Sequence, residues 1–378
     1  MKNSQCHLLW DNPNASRAFR TGVSLHSHTS FSEESLSMIP RVTRRVPFLY
    51  PYIKTYLDEY KRTHEGREID LSRAFWTPPL NPLEAVKLER GQLHSLDLQP
   101  FVSITDHDTI QAPLHLSMLA REASHPFSVE WTIPFGPTFF HLGLHNLPSR
   151  LAPPIMADLA AYTAQPRRAL LTALLEMLNE NADTLVVLNH PLWDESASGI
   201  LNHVRALGAL IERYGNLLHA LELNGLRAWS ENLAVLRLAR ETGLPAISGG
   251  DRHGREPNAN VNLTNAGSFA EFVHEVRYEK ISDVLFLPHY REPLRLRFLL
   301  TMWDVMRDYP NQPQGRIRWA DRVFYRFEDG SVEPLSARWK SGEPAIVRQA
   351  VGLIRMIETR HVRPALRLAL GDREEFCL

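Results

Sequence analysis

Cysteine is scarce in this sequence. Only Cys6 and Cys377 occur among the 378 residues, and they stand at opposite ends of the chain. Two such residues cannot build a disulfide framework or a thiolate metal cluster. We therefore expect a protein of a reducing compartment, with the cytoplasm as the default assignment.

Long apolar runs and an excess of one charge are also missing. No apolar run reaches the roughly 20 residues that a membrane span needs, and the N-terminal residues contain no apolar stretch of signal-peptide length. The 42 lysines and arginines nearly balance the 43 aspartates and glutamates, which leaves a formal net charge of -1. We therefore expect no membrane partner and no partner in duplex DNA that is held by bulk charge.

Histidine, in contrast, is abundant. There are 17 histidines against six lysines, and histidine is the commonest metal ligand in proteins. The number alone decides nothing, because a histidine in the core or on the surface is the ordinary case. Whether these histidines bind metal must therefore be judged from their positions relative to the predicted strands.

Short apolar runs alternate with helical stretches along most of the chain. Apolar residues recur at helical spacing in 167–180, and a second helix is predicted from the N-cap residue Ser230 to Gly243. This alternation predicts an α/β fold, either a parallel sheet or an α/β barrel. The predicted strands are Gly22–Leu25, Phe101–Ile104, Phe139–Leu144, Leu185–Leu188, His219–Leu221 and Leu244–Ile247.

Two regions interrupt this alternation. Residues from about 37–76 are rich in Pro, Arg and Tyr, and we interpret them as an insertion after the first strand. Beyond residue 290 the pattern predicts helices over 294–308 and 345–358, with a strand over 322–327 between them. We therefore predict a first domain of residues 1–290, which includes the insertion, and a C-terminal α+β extension of residues 291–378.

Polar clusters stand where the predicted strands end. His26 and His28 follow the first strand, and their i, i+2 spacing lets both imidazoles reach one metal ion. Because the carboxyl ends of the strands carry the site of an α/β barrel, the clusters are expected to meet in one pocket. The other cluster residues are Asp106, His107, Asp108, Glu130, His141, His190, Asp251 and His253.

In these residues the sequence resembles the PHP (polymerase and histidinol phosphatase) family of metal-dependent phosphoesterases. The resemblance covers about residues 20–290 and rests on four motifs. They are His-x-His-Thr at 26–29, Thr-Asp-His-Asp-Thr at 105–109, His-Pro at 190–191 and Asp-x-His at 251–253. The resemblance implies a distorted (β/α)7 barrel.

The resemblance also implies a site for two or three divalent metal ions. Three features of the motifs depart from the family pattern: Ser24 replaces the usual Asp, Glu33 has a competing neighbour in Glu34, and Arg252 replaces a small residue. His145 could also take the ligand position that matches His141. The residues that match the ligand positions are His26, His28, Glu33, His107, Glu130, His141, His190, Asp251 and His253.

The activity that the resemblance implies is hydrolysis of a phosphomonoester or phosphodiester. A hydroxide that bridges Mn, Fe or Zn ions would attack phosphorus. We expect Asp108 to be a candidate acid for the leaving group and Arg252 a phosphate-binding guanidinium at the mouth of the site. The near-neutral charge favours a small phosphorylated metabolite, a nucleotide or a short oligonucleotide as the substrate.

Two other interpretations stay open. The same metals could act on an amide or ester carbonyl, because nothing in the ligand set forbids it. Alternatively, the chain could be a non-catalytic binding module of the family, although such a module is expected to lose ligands. The sequence does not indicate the oligomeric state.

Overall fold

The computed structural model describes residues 4–37, 50–63, 68–119, 125–310, 315–339, 342–355, 362–370 and 376. Cys377, two parts of the predicted insertion (38–49 and 64–67) and the predicted helix end at 356–358 lie outside these ranges. The chain forms two compact units. The first unit contains residues 1–32, 80–291 and 373–378, and the second unit contains 33–79 and 292–372. No described helix is long and apolar enough to span a membrane.

Strands and helices alternate through the first unit, and each of the six predicted strands is confirmed. The described strands are β1 Gln5–Leu8, β2 Thr21–Ser24, β3 Glu34–Ser35, β4 Ala74–Trp76, β5 Gln99–Val102, β6 Phe127–Phe135, β7 Thr138–Leu147, β8 Leu185–Asn189, β9 Ala220–Asn224, β10 Ala246–Gly249, β11 Asn260–Thr264, β12 Asp283–Phe286, β13 Val323–Arg326 and β14 Val332–Pro334.

The described α-helices are α1 Tyr50–Thr63, α2 Pro82–Ser95, α3 Gln111–Leu119, α4 Ala152–Ala164, α5 Arg168–Glu180, α6 Ile200–Tyr214, α7 Trp229–Thr242, α8 Phe269–His274, α9 Leu294–Val305, α10 Leu335–Arg338, α11 Ala345–Arg355 and α12 Val362–Leu370. Local signals set several ends. A capping box of Asn81 and Glu84 opens α2, and Gly243, at φ 71°, ends α7. Helix α7 begins at Trp229, before the predicted N-cap residue Ser230.

The first unit contains two five-stranded sheets. One has the strand order β1-β12-β11-β2-β5, and the other has the order β10-β9-β8-β7-β6. Strands β8, β9 and β10 are parallel and buried along their whole length, which explains their nearly continuous apolar sequence. Backbone bridges between His107 and Glu130, and between Ser27 and Arg252, join the two sheets. These bridges bring the segments that follow β2, β5 and β10 close together.

The α/β class is confirmed, and where we predict a distorted (β/α)7 barrel, the described strands form no closed barrel. Strands β6 and β7 form an antiparallel hairpin, and β11 runs antiparallel to both β2 and β12. A uniform parallel barrel needs a crossover between every pair of strands. The short hairpin and the antiparallel β11 replace such crossovers, and the strands form two sheets that the isolated bridges connect.

The second unit joins the two interrupting regions of the sequence. Its antiparallel sheet has the order β14-β13-β4-β3, and Phe75 on β4 stacks on Phe324 of β13 with ring centroids 5.2 Å apart. Leu299, Ile354 and Leu370 form an apolar cluster between α9, α11 and α12. Residues 33–79 therefore belong with 292–372. We had predicted the insertion to be part of the first domain, and the pairing of β4 with β13 corrects that division.

Candidate metal centre

Glu130 lies at the middle of a cluster of imidazoles. Its side chain is fully buried on β6. One carboxylate oxygen, Oε2, lies 3.0 Å from His26 Nε2 and 3.3 Å from His28 Nε2. The same oxygen lies 3.3 Å from His107 Nδ1. Three imidazoles that follow two different strands thus face one oxygen atom.

The other oxygen of Glu130 faces a different set of side chains. Oε1 lies 3.2 Å from His190 Nε2 and 3.4 Å from His141 Nδ1. The side-chain amide of Asn189 donates a hydrogen bond to this oxygen at 3.0 Å. The carboxylate therefore separates two groups of nitrogen atoms, which is the arrangement expected of a carboxylate that bridges two cations.

Strand register explains why His141 and not His145 belongs to this cluster. On the antiparallel pair β7–β8, His141 is opposite Asn189, so it lies beside His190, whereas His145 is opposite Leu185 at the other end of β8. His145 Nδ1 instead lies 2.8 Å from the hydroxyl of Ser103. Burial lowers the pKa of His145 to about 3. The sequence left these two histidines as alternatives, and the register decides between them.

Asp251 and His253 complete the group on the side of β10. Asp251 Oδ1 lies 3.6 Å from the Nε2 atoms of both His26 and His28. The ring of His253 stacks on that of His28 with centroids 4.2 Å apart. His253 Nδ1–H donates to the carbonyl oxygen of Asp251 at 2.9 Å. This hydrogen bond fixes the tautomer in which Nε2 is the candidate ligand atom of His253.

Backbone conformation helps to aim these side chains. His26, His190 and Asp251 have positive φ angles of 59°, 26° and 55°. Such left-handed positions are unfavourable for residues with a Cβ atom. The surrounding hydrogen bonds hold them, because the Asp251 N–H donates to the His26 carbonyl at 2.7 Å and the His190 N–H donates to Glu222 Oε2 at 2.7 Å.

Glu222 supports the cluster from behind. Its carboxylate is buried on β9 and accepts a short hydrogen bond from His26 Nδ1–H. This contact fixes the orientation of the ring and leaves Nε2 of His26 as the ligand atom. Asn224 donates to Glu222 Oε2 at 3.0 Å and to Asp251 Oδ2 at 3.1 Å. In the sequence, Glu222 ends an apolar run, a position equally consistent with support of the site and with an ordinary strand-end carboxylate, and these contacts favour the supporting role.

A close packing contact makes Gly249 necessary beside Glu222. A Cβ atom at residue 249 would lie 1.6 Å from Glu222 Oε1, well inside van der Waals contact. The glycine in the Gly249-Gly250 pair of the sequence therefore leaves room for the supporting carboxylate.

Opposite charges set the protonation of the cluster. Burial disfavours protonated His26, but the carboxylates of Glu130 and Glu222 outweigh this effect and raise its pKa well above the usual value. Burial likewise opposes the ionised form of Glu130, but the neighbouring imidazoles, His26 first, hold the pKa of Glu130 well below its usual range. Burial lowers the pKa of His141 well below its usual value. The cluster thus contains ionised carboxylates next to imidazoles, some of which are neutral.

The donor atoms fit divalent metal ions. Imidazole nitrogens and carboxylate oxygens are the ligands that Mn, Fe and Zn prefer, and metal ligands of this kind must be deprotonated. In each of three candidate sets, the donor atoms lie within 4.8 Å of one another. One set contains His26, His28 and Glu130, a second contains His107, Glu130 and His141, and a third includes His28, His107 and His253.

Eight of the nine predicted ligands are thus gathered in the first unit. The ninth, Glu33, belongs to the second unit, where its half-exposed carboxylate pairs with Arg326 at 2.6 Å. That Glu33 holds a third ion stays a prediction.

Arg252 is not at the mouth of the site, where we had predicted it. The side chain is buried, and its Nε donates to the buried carboxylate of Glu89 at 2.7 Å. Its other nitrogens donate to the carbonyl oxygens of Gly254 at 2.9 Å and His28 at 3.1 Å. Because a buried guanidinium needs such partners, the donors of Arg252 are used within the protein, where they hold the backbone at His28.

Asp108 also has a different position from the one expected of a catalytic acid. Its carboxylate accepts a hydrogen bond from the Thr132 N–H at 2.8 Å. It lines a cavity of about 240 Å³ together with Trp131 and residues of α4. Successive side chains of a strand leave on opposite faces, so Trp131 points away from the face that carries Glu130. The structure therefore places Asp108 on the cavity side of β6.

Two charged residues that the sequence analysis did not single out lie beside the cluster. Glu195 Oε2 lies 3.8 Å from His141 Nδ1, and burial raises the pKa of Glu195. The Arg227 side chain lies 3.9 Å from Asp251 Oδ2. Glu195 belongs to the loop after β8, and Arg227 belongs to the loop after β9. In neither loop does the sequence have a helical or strand pattern that would place the residue.

The chain matches no family model and no curated protein. It is similar over part of its length to solved structures. One is a proposed metal-dependent phosphoesterase from Bifidobacterium adolescentis, with 16% identity, a TM-score of 0.33, and coverage of 52% of this chain and 91% of that one. A second is PsfC from Pseudomonas syringae PB-5123, with 15% identity, a TM-score of 0.39, and coverage of 58% and 88%.

A third similar structure is an amidohydrolase from Chromobacterium violaceum with bound sulfate and no metal. It has 16% identity, a TM-score of 0.33, and coverage of 48% of this chain and 86% of that one.

Proposed function

We propose that the chain is a metal-dependent phosphoesterase of the PHP type. The observation that carries the proposal is the position of Glu130, whose two carboxylate oxygens face two different groups of imidazoles. Two neighbouring cation positions that share one carboxylate are typical of enzymes that hydrolyse phosphate esters. The order of the four sequence motifs supports the same assignment.

When bound, divalent ions supply a water nucleophile at neutral pH and positive charge for the phosphoryl oxygens. The protein residues have positioning roles. Glu222 fixes the tautomer and the orientation of His26, and Asn189 orients the Glu130 carboxylate by donating to Oε1. Arg252 and Glu89 hold the backbone of His28 from below. Together these contacts preorganise the donor atoms, so that little rearrangement is needed when the site is loaded.

The exposure of the cluster is uneven, which suggests the side from which the substrate enters. His26, His28 and Glu130 are buried, whereas the side chains of His107 and His253 are 18% and 14% exposed. Substrate is therefore expected to approach past His107 and His253. We propose a small phosphorylated metabolite, a nucleotide or a short oligonucleotide as the substrate, which the near-neutral net charge favours.

Metal analysis combined with a substrate panel tests the proposal. We expect the purified full chain to retain Mn, Fe or Zn and to hydrolyse p-nitrophenyl phosphate or bis-p-nitrophenyl phosphate. Asp251→Asn should lower both the metal content and the rate by at least roughly 10-fold. Asp158→Asn, on the exposed side of α4, is the matched control and should change neither.

Two results would overturn the proposal. Equal metal content in Asp251→Asn and the wild type would remove the site assignment. Hydrolysis of amide or ester substrates, with none of either phosphate ester, would leave a metal-dependent hydrolase but would exclude the phosphoesterase.

A further inference from the structure

Arg227 stands in the tight segment that follows β9. The backbone N–H of Leu226 donates to Asn224 Oδ1 at 2.7 Å. The hydroxyl of Tyr290, a buried residue, donates to the carbonyl oxygen of Arg227 at 2.9 Å. The main chain of Arg227 is therefore held on both sides, and the start of its side chain is fixed relative to β9.

The guanidinium group of Arg227 lies over the ring of Trp193. Its central carbon is 3.8 Å from the centroid of the Trp193 ring. Trp193 in turn is held by a backbone hydrogen bond from its N–H to the carbonyl oxygen of His190 at 2.9 Å. Stacking on an aromatic face directs the N–H groups of an arginine sideways, into the plane of the guanidinium. The Trp193 ring, in the loop after β8, thus covers one face of the guanidinium.

Arg227 is buried next to the candidate metal ligands. Its side chain is 8% exposed, and one of its terminal nitrogens lies 3.9 Å from Asp251 Oδ2. The other oxygen of the same carboxylate faces His26 and His28 at 3.6 Å. A fixed positive charge thus lies one carboxylate away from the imidazole cluster.

This placement has an electrostatic consequence once cations occupy the cluster. A buried guanidinium close to divalent ions is repelled by them, and the neighbouring carboxylates of Asp251 and Glu195 reduce this repulsion. An anion that touches both the cations and the guanidinium removes that repulsion. The planar N–H donors of arginine match the negatively charged oxygen atoms of a phosphate. They match the oxygen atom of a neutral amide less well, because the amide offers no negative charge.

We infer that Arg227, stacked on Trp193, is a specificity-determining residue that binds the phosphoryl group of the substrate. The inference rests on the proposed phosphoesterase function and deepens it. It selects a phosphate ester over a neutral amide or ester at the same metal centre. Arg227 thus has the phosphate-binding role that the sequence predicts for Arg252.

Phosphate binding without turnover provides the test. Inorganic phosphate is titrated into manganese-loaded full chain by calorimetry, and metal content and melting temperature are measured for every variant. We expect Arg227→Gln to weaken phosphate binding by 10-fold or more, since about 1.4 kcal/mol corresponds to a factor of ten. Arg237→Gln, on the exposed side of α7, is the matched control and should bind phosphate like the wild type.

A purely structural role for Arg227 predicts a different pattern. It predicts lower metal content or melting temperature in Arg227→Gln, with normal phosphate binding in the molecules that keep their metal. Arg227→Lys keeps the charge but loses the stacked planar donors, so we expect it to retain metal and still bind phosphate several-fold more weakly. Unchanged phosphate affinity in metal-loaded Arg227→Gln, or in Arg227→Lys if the Gln variant does not fold, overturns the inference.

The same measurements separate this inference from the proposed function. Phosphoesterase activity together with unchanged phosphate affinity in the variants would remove the role of Arg227 alone. Hydrolysis of amides only, together with weaker phosphate binding in the variants, would remove the phosphoesterase and leave an anion-binding arginine.

Discussion

At the scale of single residues, the contact between Gly249 and Glu222 is the most sensitive feature of the site. Glu222 orients His26 and receives the backbone N–H of His190, so it touches two of the candidate ligands at once. It has this position only because residue 249 lacks a side chain. A single methyl group at this point is therefore expected to disturb the metal centre without removing any ligand.

Gly249→Ala tests this contact. The added Cβ atom would lie 1.6 Å from Glu222 Oε1, so the carboxylate must move and His26 loses its partner. We expect metal affinity to fall roughly 10- to 100-fold and the free energy of unfolding to decrease by about 1–3 kcal/mol. Metal titration and urea unfolding measure the two effects.

The control for this substitution is Gly208→Ala. Gly208 lies within α6, and a Cβ atom there meets no atom within 4 Å. Alanine is favoured over glycine in a helix by up to about 1 kcal/mol, so this variant should be as stable as the wild type or more stable. Wild-type metal affinity in Gly249→Ala would contradict the role assigned to Glu222.

At the scale of elements, a buried histidine outside the metal centre connects β8 with α5. His219 Nδ1 accepts the N–H of Val186 at 2.9 Å, and its Nε2–H donates to Asn179 Oδ1 at 2.9 Å. This pair of bonds requires the neutral ring, because a protonated Nδ1 cannot accept. Burial and then the charge of Arg277 lower the pKa of His219 to about 3.

His219 should therefore make folding sensitive to acid. Its pKa in the folded protein lies below the value of about 6.5 in an unfolded chain, so its stabilisation is present above about pH 6.5 and is lost as the pH falls towards the folded value. His219→Asn keeps an acceptor near Val186. Between about pH 7.5 and pH 5, we expect the free energy of unfolding to fall by about 2 kcal/mol less in this variant than in the wild type.

Urea unfolding at the two pH values measures this difference. His94→Gln, at an exposed position near the end of α2, is the control and should keep the pH dependence of the wild type. The same loss of stability in His219→Asn and the wild type would show that His219 does not contribute to the pH dependence.

Elements were the scale at which the sequence was most informative. The six predicted strands are short apolar runs of three to six residues between helical or polar stretches, and this length and context favour buried strands over helices. The choice between His141 and His145 could not be made in this way. It depends on which residues of β8 lie opposite them, and the pairing of β7 with β8, which are separated by α4 and α5, is not encoded in one strand alone.

At the scale of the whole molecule, the division into units was the least predictable feature. Residues 33–79 and 292–372 form one unit although more than 200 residues separate them along the chain. Their association depends on the pairing of β4 with β13, which no local pattern reports. The position of Arg252 was missed for the same reason, because its partner Glu89 belongs to α2, far away in the sequence.

Metal binding is expected to stabilise the folded chain. The ligand set is assembled from the segments after β2, β5, β8 and β10 and from β6 and β7, so an unfolded chain cannot present it. At a free metal concentration of 100 times Kd, the free energy of unfolding should rise by about 2.7 kcal/mol. Urea unfolding with added Mn²⁺ and with EDTA measures the change.

The variant Asp251→Asn is the control for that experiment, and its unfolding midpoint should respond much less to Mn²⁺. Identical midpoints of the wild type in Mn²⁺ and in EDTA would show that the cluster does not bind the ion in the folded state.

The left-handed backbone at His26, His190 and Asp251 has a consequence for protein engineering. Each of these positions costs roughly 1 kcal/mol that an ordinary strand end would not. A designer who transplants only the ligand residues onto an idealised barrel will give them negative φ angles, and their side chains will point elsewhere. The transferable unit is therefore larger than its motifs: it must include Glu222, Gly249 and the backbone hydrogen bonds that hold the unfavourable angles in place.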